Sequence, residues 1–398
     1  MFSSLRVALV HDWLTGMRGG EKVLEVFAEM FPDAPIYTML HKPGSVSKTI
    51  ESHEIRTSAL QHVPGAVNRY RHFLPLMPRL VEQIRVEPVD LLLSCSSCVA
   101  KSILPPPGAT NASYILSPMR YIYDRYDDYF SPSKAGLATR IAMRCVRGSL
   151  QRWDIRTAAR VEHMCGISTF IGDRIQRLYN RECSIIHPPV ETKRFVSARR
   201  EPEDYYVMVT ALVPYKNVEI AIEAFRLLDR RLIIAGSGPM EARLRATAPP
   251  NVTMLGWVDD EEIPDLIAGA RAFLMPNVED FGIAPVEAMS AGRPVIAFGQ
   301  GGVRDTIRDL DRWRAGRLSS PFGGSEASTH KLPTGLFFHE MTPQSLADAV
   351  LRFESELDIF NPSAIAAWAE EFSTPKFRRK IASWVSEMTD VAPKTMAA

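Results

Sequence analysis

The chain has 398 residues, 46% of them hydrophobic and 23% charged, proportions that exclude wholesale disorder, a collagen-like repeat and a disulfide scaffold. Its length predicts two domains rather than one large core. Lys and Arg number 47 against 46 Asp and Glu, a net charge of +1, so no whole-molecule field holds a polyanion and no nucleic-acid partner is expected.

In chain order, Arg6 to Val10 reads as a short buried strand, His11 to Gly20 as a loop, and Glu21 to Met30 as a helix with apolar spacing at Val23, Leu24, Phe27 and Ala28. Val89 to Leu93 is a second apolar strand, followed by a loop of small residues. His187-Pro188-Pro189 and the charged stretch Ser197 to Asp204 have the composition of an interdomain linker. A new strand starts at Tyr205, leads through the turn Leu212 to Asn217, and feeds a helix with Ile220, Ile222 and Phe225 on its apolar face. Arg231 to Ala235, before Gly236-Ser237-Gly238, and Arg271 to Met275, before Pro276, repeat the pattern. Short apolar strands alternating with helices predict parallel sheets covered on both faces, an α/β doubly wound class in each half. Asp309 to Pro333 reads as a long surface loop, and Phe377 to Met388 as a terminal helix carrying Trp384.

Five scattered cysteines, Cys95, Cys98, Cys145, Cys165 and Cys183, lack disulfide-framework spacing and favour a reducing, cytoplasmic compartment. The apolar stretch Val7 to Val10 is too short for a signal-peptide core, and no window approaches the roughly 18 apolar residues that span a bilayer. Any membrane contact is expected to be peripheral.

The most informative stretch runs from Glu279-Asp280-Phe281-Gly282-Ile283-Ala284-Pro285-Val286-Glu287 to Gly292-Arg293-Pro294-Val295. Glu279 follows a strand at its carboxyl end, where open α/β sheets bind ligands, and Phe281 to Ala284 lead into a helix that tolerates Pro285 in its first turn. Free amides at a helix start bind hydroxyl or phosphate oxygens, while two carboxylates hold polyols. The plainer alternative is a capped helix with acidic residues.

These residues resemble the family 4 retaining glycosyltransferases, whose hallmark is two glutamates separated by seven residues; Glu279 and Glu287 match it. Further matching stretches are His11-Asp12-Trp13-Leu14 with Gly19-Gly20-Glu21, Phe73 to Arg79, Ser117-Pro118-Met119-Arg120-Tyr121, Pro188-Pro189-Val190, Leu212-Val213-Pro214-Tyr215-Lys216 and Gly299-Gln300-Gly301-Gly302. The resemblance extends over nearly the whole chain. It is closest to the mannosyltransferase-like branch that builds bacterial O-antigen and exopolysaccharide repeats, including lipopolysaccharide.

The resemblance implies the GT-B fold, two facing Rossmann-like domains with a cleft between them. The acceptor domain would be 1–195, completed by a C-terminal helix at about 375–390, and the nucleotide-sugar domain 203–372. It implies a hexosyltransferase that moves a sugar, by best match mannose from GDP-mannose, onto a lipid-linked saccharide at the cytoplasmic face of the inner membrane. Lys216 would neutralise the donor diphosphate and Glu279 meet the transferred sugar, as catalytic residues. Gly19, Gly20, Gly236, Val258, Phe281, Gly282, Ile283 and Glu287 would bind the donor, and Asp12 and Arg120 would serve or support the acceptor side. No cofactor and no metal are expected, because an ammonium and backbone amides can stabilise a leaving diphosphate.

Two positions depart from the family pattern: Ala211 stands where an arginine is usual, and Leu116 where a histidine is. They leave open an alternative, a catalytically impaired subunit that binds a sugar nucleotide or a partner enzyme. A nicotinamide oxidoreductase is disfavoured, since no Gly-x-Gly-x-x-Gly follows the first strand. Cys95-Ser96-Ser97-Cys98 has redox spacing but no second metal pair. Asp309-Leu310-Asp311 mimics a metal-binding pair of the other glycosyltransferase architecture but falls in the expected loop. Lys134 to His163 sets Arg140, Arg144 and Arg147 at helical spacing, either a solvated face or one drawn to an anionic membrane surface.

Overall fold

In the computed structural model, residues 5–131, 136–317, 332–389 and 391 are described. The chain divides into two compact units, one formed by 1–189 with 377–398 and the other by 190–376. Each follows from the alternation of apolar strands with amphipathic helices.

The first unit holds a seven-stranded sheet made of β1 (Val7–His11), β2 (Ile36–Thr38), β3 (Ile55–Thr57), β4 (Leu91–Ser96), β5 (Thr110–Ile115), β6 (His163–Gly166) and β7 (Ser184–Ile185), in the order β3-β2-β1-β4-β5-β6-β7. All pairings are parallel. The register sets His11 beside Thr38 and Cys95, so the ends of β1, β2 and β4 come level. Leu91, Leu92 and Leu93 are fully buried, as an unalternating apolar run requires when both faces are covered. The terminal helix Thr374–Thr389 brings Phe377 against Phe27 and Tyr114, with ring centroids 5.9 and 5.8 Å away.

Around the first strand and helix the boundaries differ from the sequence reading. His11 belongs to β1, not to the loop, and the first helix starts at Gly19 rather than Glu21. The reason is space: a Cβ on Gly20 would lie 2.8 Å from Leu116 Cδ1 and 3.4 Å from His11 Cε1. Only a residue without a side chain lets the first helical turn sit so close to the strand ends.

The second unit holds six parallel strands, β8 (Tyr206–Val209), β9 (Leu232–Ala235), β10 (Val252–Gly256), β11 (Phe273–Met275), β12 (Val295–Phe298) and β13 (Gly335–Phe338), in the order β10-β9-β8-β11-β12-β13. The long loop expected over Asp309 to Pro333 is corrected in its first part, where Leu310–Arg314 is a short helix. Asp309 starts it, Oδ2 accepting from Arg312 N at 3.2 Å while Oδ1 accepts from Phe337 N at 2.9 Å. Residues 318–331 of that stretch lie outside the described residues.

Both sheets start from an inner strand, step outward twice, then reverse to the other side. The reversal falls between β1 and β4 in one unit and between β8 and β11 in the other. At such a point the connections leave in opposite directions and open a crevice at the carboxyl ends of the strands.

Candidate functional site

In the second unit the crevice is bounded by the turn after β8 and the turn after β11. The first ends in the 3-10 turn Pro214–Lys216; the second runs from Pro276 to Gly282. The Lys216 ammonium forms an ion pair with Oε1 of Glu279. Asn277 Nδ2 donates to the same oxygen at 2.7 Å. The two charged side chains are 22% and 19% exposed, open to a ligand yet shielded enough for their field to exceed its strength in bulk water. Asn217 joins the two turns: in a left-handed conformation, φ 53°, it donates from Nδ2 to the Pro276 carbonyl at 3.1 Å.

A third loop completes the frame. Gly302 N donates to the Glu279 carbonyl at 2.8 Å, and a Cβ on Gly301, φ 87°, would lie 2.4 Å from that carbonyl oxygen. Gly282, φ 94°, precedes the helix Ile283–Ser290, with Ile283 as its first residue and Glu287 half-buried in its second turn. Phe281 is 3% exposed, its ring packed 5.9 Å from that of Phe372, so it offers a ligand backbone rather than side chain. Gly236 lies at the end of β9, where a Cβ would come within 1.8 Å of the Thr210 carbonyl oxygen; its own N–H donates to Gly256 O at 2.7 Å. Val258 is half-buried just beyond β10, and Ala211 is exposed in the turn after β8.

In the first unit the crevice holds Asp12, 1% exposed. Its carboxylate accepts from Ser97 N at 2.6 Å, Ser97 Oγ at 3.0 Å, Val99 N at 2.7 Å and Ala100 N at 2.8 Å. So Asp12 shapes the loop after β4, an anchoring role in place of an open polar contact. Arg120, half-buried, donates from Nε to Ser117 Oγ at 3.3 Å, and Arg174 Nη1 donates to the same hydroxyl at 2.9 Å. Gly19 and Gly20 open the first helix.

Beside them His11 is buried, Nδ1 3.0 Å from the Cys95 carbonyl and Nε2 3.7 Å from Glu21 Oε1. Burial opposes the imidazolium, but the contacts with Cys95 and Glu21 outweigh it and hold the His11 pKa well above its ordinary value. Burial would raise the Glu21 carboxyl, and the contacts with His11, the helix-start backbone and Arg18 together outweigh it, so it is lowered. The two form a buried charged pair, and Glu21 Oε2 also accepts from Arg18 N at 3.1 Å at the helix start.

Asn277 and Asn217 were not legible as site residues; His11 and Glu21 stand in the matching stretches, but their pairing was not legible. For Asn277 the signal was its place two residues before Glu279; for Asn217, its place between Lys216 and a helix start. Cys95 and Cys98 are both buried in the first unit as free thiols, and burial pushes both pKa values up. Asp309 caps a helix, and Asp311 accepts from Arg352 Nη1 at 2.8 Å. The basic helix spans Leu137–Ala158, and Lys134 lies outside the described residues. Arg144 is exposed, but Arg147 is a correction to the expected basic face: it donates to the Ile122 and Tyr123 carbonyls at 2.8 and 3.2 Å and sits 4.2 Å over the Tyr126 ring. Among the described residues no group of three or more His, Cys, Asp or Glu could hold a metal ion, and no helix is long and apolar enough to cross a membrane.

Residues 189–357 match the family described as Glycosyl transferases group 1. The chain is 31% identical over 173 residues to a GDP-mannose-dependent alpha-(1-6)-phosphatidylinositol monomannoside mannosyltransferase of Mycobacterium tuberculosis, covering 36% of this chain and 45% of that protein. It is 28% identical over 149 residues to an O-antigen chain mannosyltransferase of Salmonella typhimurium, covering 34% and 42% of the two chains. The matches thus span less than half the length of these relatives. Among solved structures, Anabaena HepE in complex with UDP superposes with a TM-score of 0.63 at 15% identity, covering 96% of this chain and 100% of that one. WaaG, a glycosyltransferase involved in lipopolysaccharide biosynthesis, does so with 0.57 at 15% identity, covering 98% and 100%. The fold is GT-B, with two Rossmann-like parallel-sheet units.

Proposed function

We propose, from the premise that this chain carries a family 4, group 1 glycosyl transferase domain over residues 189–357 and is mannosyltransferase-like in its sequence relatives, that it is a retaining hexosyltransferase of polysaccharide or glycolipid synthesis. The observation that carries this reading is the Lys216–Glu279 ion pair at the switch point, with Asn277 on the same carboxylate oxygen.

The chemistry follows from an exchange of partners. A nucleoside diphosphate entering the crevice draws the Lys216 ammonium away from Glu279, and the ammonium then neutralises charge that grows as the sugar–phosphate bond breaks. Glu279 keeps the Asn277 hydrogen bond and turns its released acceptor capacity to hydroxyls of the transferred sugar. Amides around Gly282 and Ile283 meet phosphate oxygens at the start of a helix. Glu287 binds the ribose, and the strand-end turns at Gly236 and Val258 line the base. For Gly19, Gly20 and Arg120, all in the first unit, the roles toward donor and acceptor rest on the resemblance alone. The reaction uses no resident cofactor or metal.

The donor we propose is GDP-mannose, the nucleotide-sugar named for the Mycobacterium tuberculosis relative, and the acceptor a lipid-linked saccharide. The chain would meet it at the cytoplasmic membrane face by a peripheral contact, for which Leu137, Ile141 and Arg144 stand exposed on one helix. A second reading, an impaired subunit that only binds a sugar nucleotide, draws on Ala211 and on Leu116, whose methyl group approaches Gly20 where the resembled family has an imidazole.

Turnover of a panel of GDP- and UDP-sugars, with and without membrane extract, tests both. Transfer with retention of the donor's anomeric configuration by NMR, unchanged by chelator, supports the enzyme. Inversion overturns the family mechanism. Donor binding without turnover in wild type, rescued tenfold by Leu116→His with Ala211→Arg, selects the impaired subunit.

A further inference from the structure

The second unit holds another concentration of positive charge at the amino ends of its strands, away from the carboxyl ends where Lys216 and Glu279 meet. Arg271 lies just before β11 and Arg293 just before β12. With Arg199 and Arg200 they line a cavity of about 480 Å³, whose wall also includes Phe353 and Phe360.

The four guanidinium groups are not alike. Arg200 pairs with Glu203 at 2.8 Å, and Arg271 with Glu354 at 3.1 Å. Arg293 is 5% exposed, yet it makes no ion pair among the described residues. Its Nη2 donates to the Arg200 carbonyl at 2.7 Å and its Nε to the Ala291 carbonyl at 3.5 Å. Arg199 donates only from Nε, to the Ser290 carbonyl at 3.4 Å. Those last two carbonyls close the helix Ile283–Ser290, whose negative end attracts cations. That accounts for one edge of each guanidinium and leaves Nη1 of Arg293 and both Nη atoms of Arg199 without a partner among the described residues.

Arg199 is exposed, so its free edge meets solvent, but Arg293 beside it is buried: burial, and then the neighbouring Arg199 charge, oppose the Arg293 charge and lower its pKa, while partial burial lowers that of Arg199. Glu201, also in the wall, offsets this at Arg293 without reaching ion-pair distance. A fold keeps such an arrangement at a cost unless an anion completes it.

We propose that this cavity binds a small phosphorylated compound, its phosphate held between Arg199 and Arg293 and its organic part against Phe353 and Phe360. Guanidinium groups present paired donors that match phosphate oxygens, and a cavity of this size is in the range that accepts metabolites. The ligand is an effector rather than the donor. The helix Ile283–Ser290, a rod of about 12 Å, begins beside Gly282 in the candidate donor site and ends at the carbonyl that Arg199 holds. Occupancy at its carboxyl end therefore bears on the position of its first turn.

The test is calorimetric titration of the full chain with inorganic phosphate, a hexose 1-phosphate and a nucleoside 5′-monophosphate, each in a separate arm. The proteins are wild type, Lys216→Ala, Arg199→Gln, Arg293→Gln and, as a control whose charge is already paired, Arg200→Gln. At least one ester should bind wild type and Lys216→Ala equally, bind Arg200→Gln within about twofold, and bind Arg199→Gln and Arg293→Gln at least tenfold more weakly. If Arg293→Gln does not fold, the exposed Arg199→Gln decides. No binding to wild type at 10 mM of any of the three, or binding abolished by Lys216→Ala and kept by Arg199→Gln, overturns the proposal. Inorganic phosphate binding as tightly as both esters overturns the role given to the two phenylalanines.

Discussion

Gly302 donates its N–H to the carbonyl of Glu279 at 2.8 Å, so the backbone of that glutamate is held by the loop after β12 while its carboxylate faces Lys216. The position of the carboxylate thus depends on three loops: the one that carries it, the one that carries Lys216, and the glycine loop that braces it.

Replacing either charged partner should cost catalysis without costing the fold, because both side chains are partly exposed. Glu279→Ala and Lys216→Ala should each lower transfer at least about 100-fold, the loss typical of one preorganised electrostatic group. Steady-state rates on variants with native circular dichroism check this, and near-wild-type turnover removes that residue from the mechanism.

Asn277 acts through Glu279. Asn277→Ala should lower kcat by about 10- to 100-fold with KM for the donor little changed, in keeping with about 1.5–3 kcal/mol for a hydrogen bond to a charged group. Asn277→Asp, which sets a second carboxylate against Oε1, should be worse than alanine. Equal rates for the two variants would show that the amide's donor is idle.

Gly301→Ala should destabilise the second unit. Its φ of 87° costs a residue with a Cβ about 1–2 kcal/mol, and the contact with the Glu279 carbonyl adds to that. Thermal unfolding should fall by more than about 4 °C, scaling from roughly 2–4 °C per kcal/mol in a domain of this size. An unchanged midpoint would mean that the loop moves freely and does not brace Glu279.

The His11–Glu21 pair predicts a pH window. His11 is raised above its reference of 6.5, so its contribution is complete below that pH and lost as pH rises through the folded value. Glu21 is lowered from 4.5, so its contribution is complete above that pH and lost as pH falls through its folded value. The stability gap between wild type and His11→Gln should be widest between about pH 4.5 and 6.5 and narrow on both sides. A gap independent of pH in urea melts from pH 4 to 9 would show that the pair is uncharged.

Asp154 is fully buried in the first unit, its carboxylate taking the Lys101 ammonium and the Tyr123 and Tyr179 hydroxyls, the last two at 2.9 and 2.8 Å. Asp154→Ala leaves that ammonium without a counter-charge and should cost about 3–5 kcal/mol, whereas Lys101→Met with Asp154→Leu should cost much less. Chemical denaturation separates the two; equal losses would argue that the tyrosine hydrogen bonds, not the ion pair, hold the region.

The chain's own order determined a good deal. The unalternating run Leu91 to Leu93 specifies a strand covered on both faces, and the recurrence of such runs specifies two parallel sheets, because both are local patterns of burial. Glu279 and Lys216 were legible as candidates because each follows a strand end, where an open sheet exposes its loops; Glu287, inside a helix, was marked only by the resemblance that its spacing from Glu279 carries. What only tertiary structure decided is which groups share an atom or a space. Nothing local tells that Asn277 and Lys216 meet on one oxygen, that Asp12 is saturated by the loop from Ser97 to Ala100, or that Arg147 turns inward while Arg144 does not. Nor does it tell that Arg199 and Arg293 line one cavity. Those outcomes depend on strand order, which brings together residues tens of positions apart, and on burial, which alone fixes whether a charge meets water, a carboxylate or another charge.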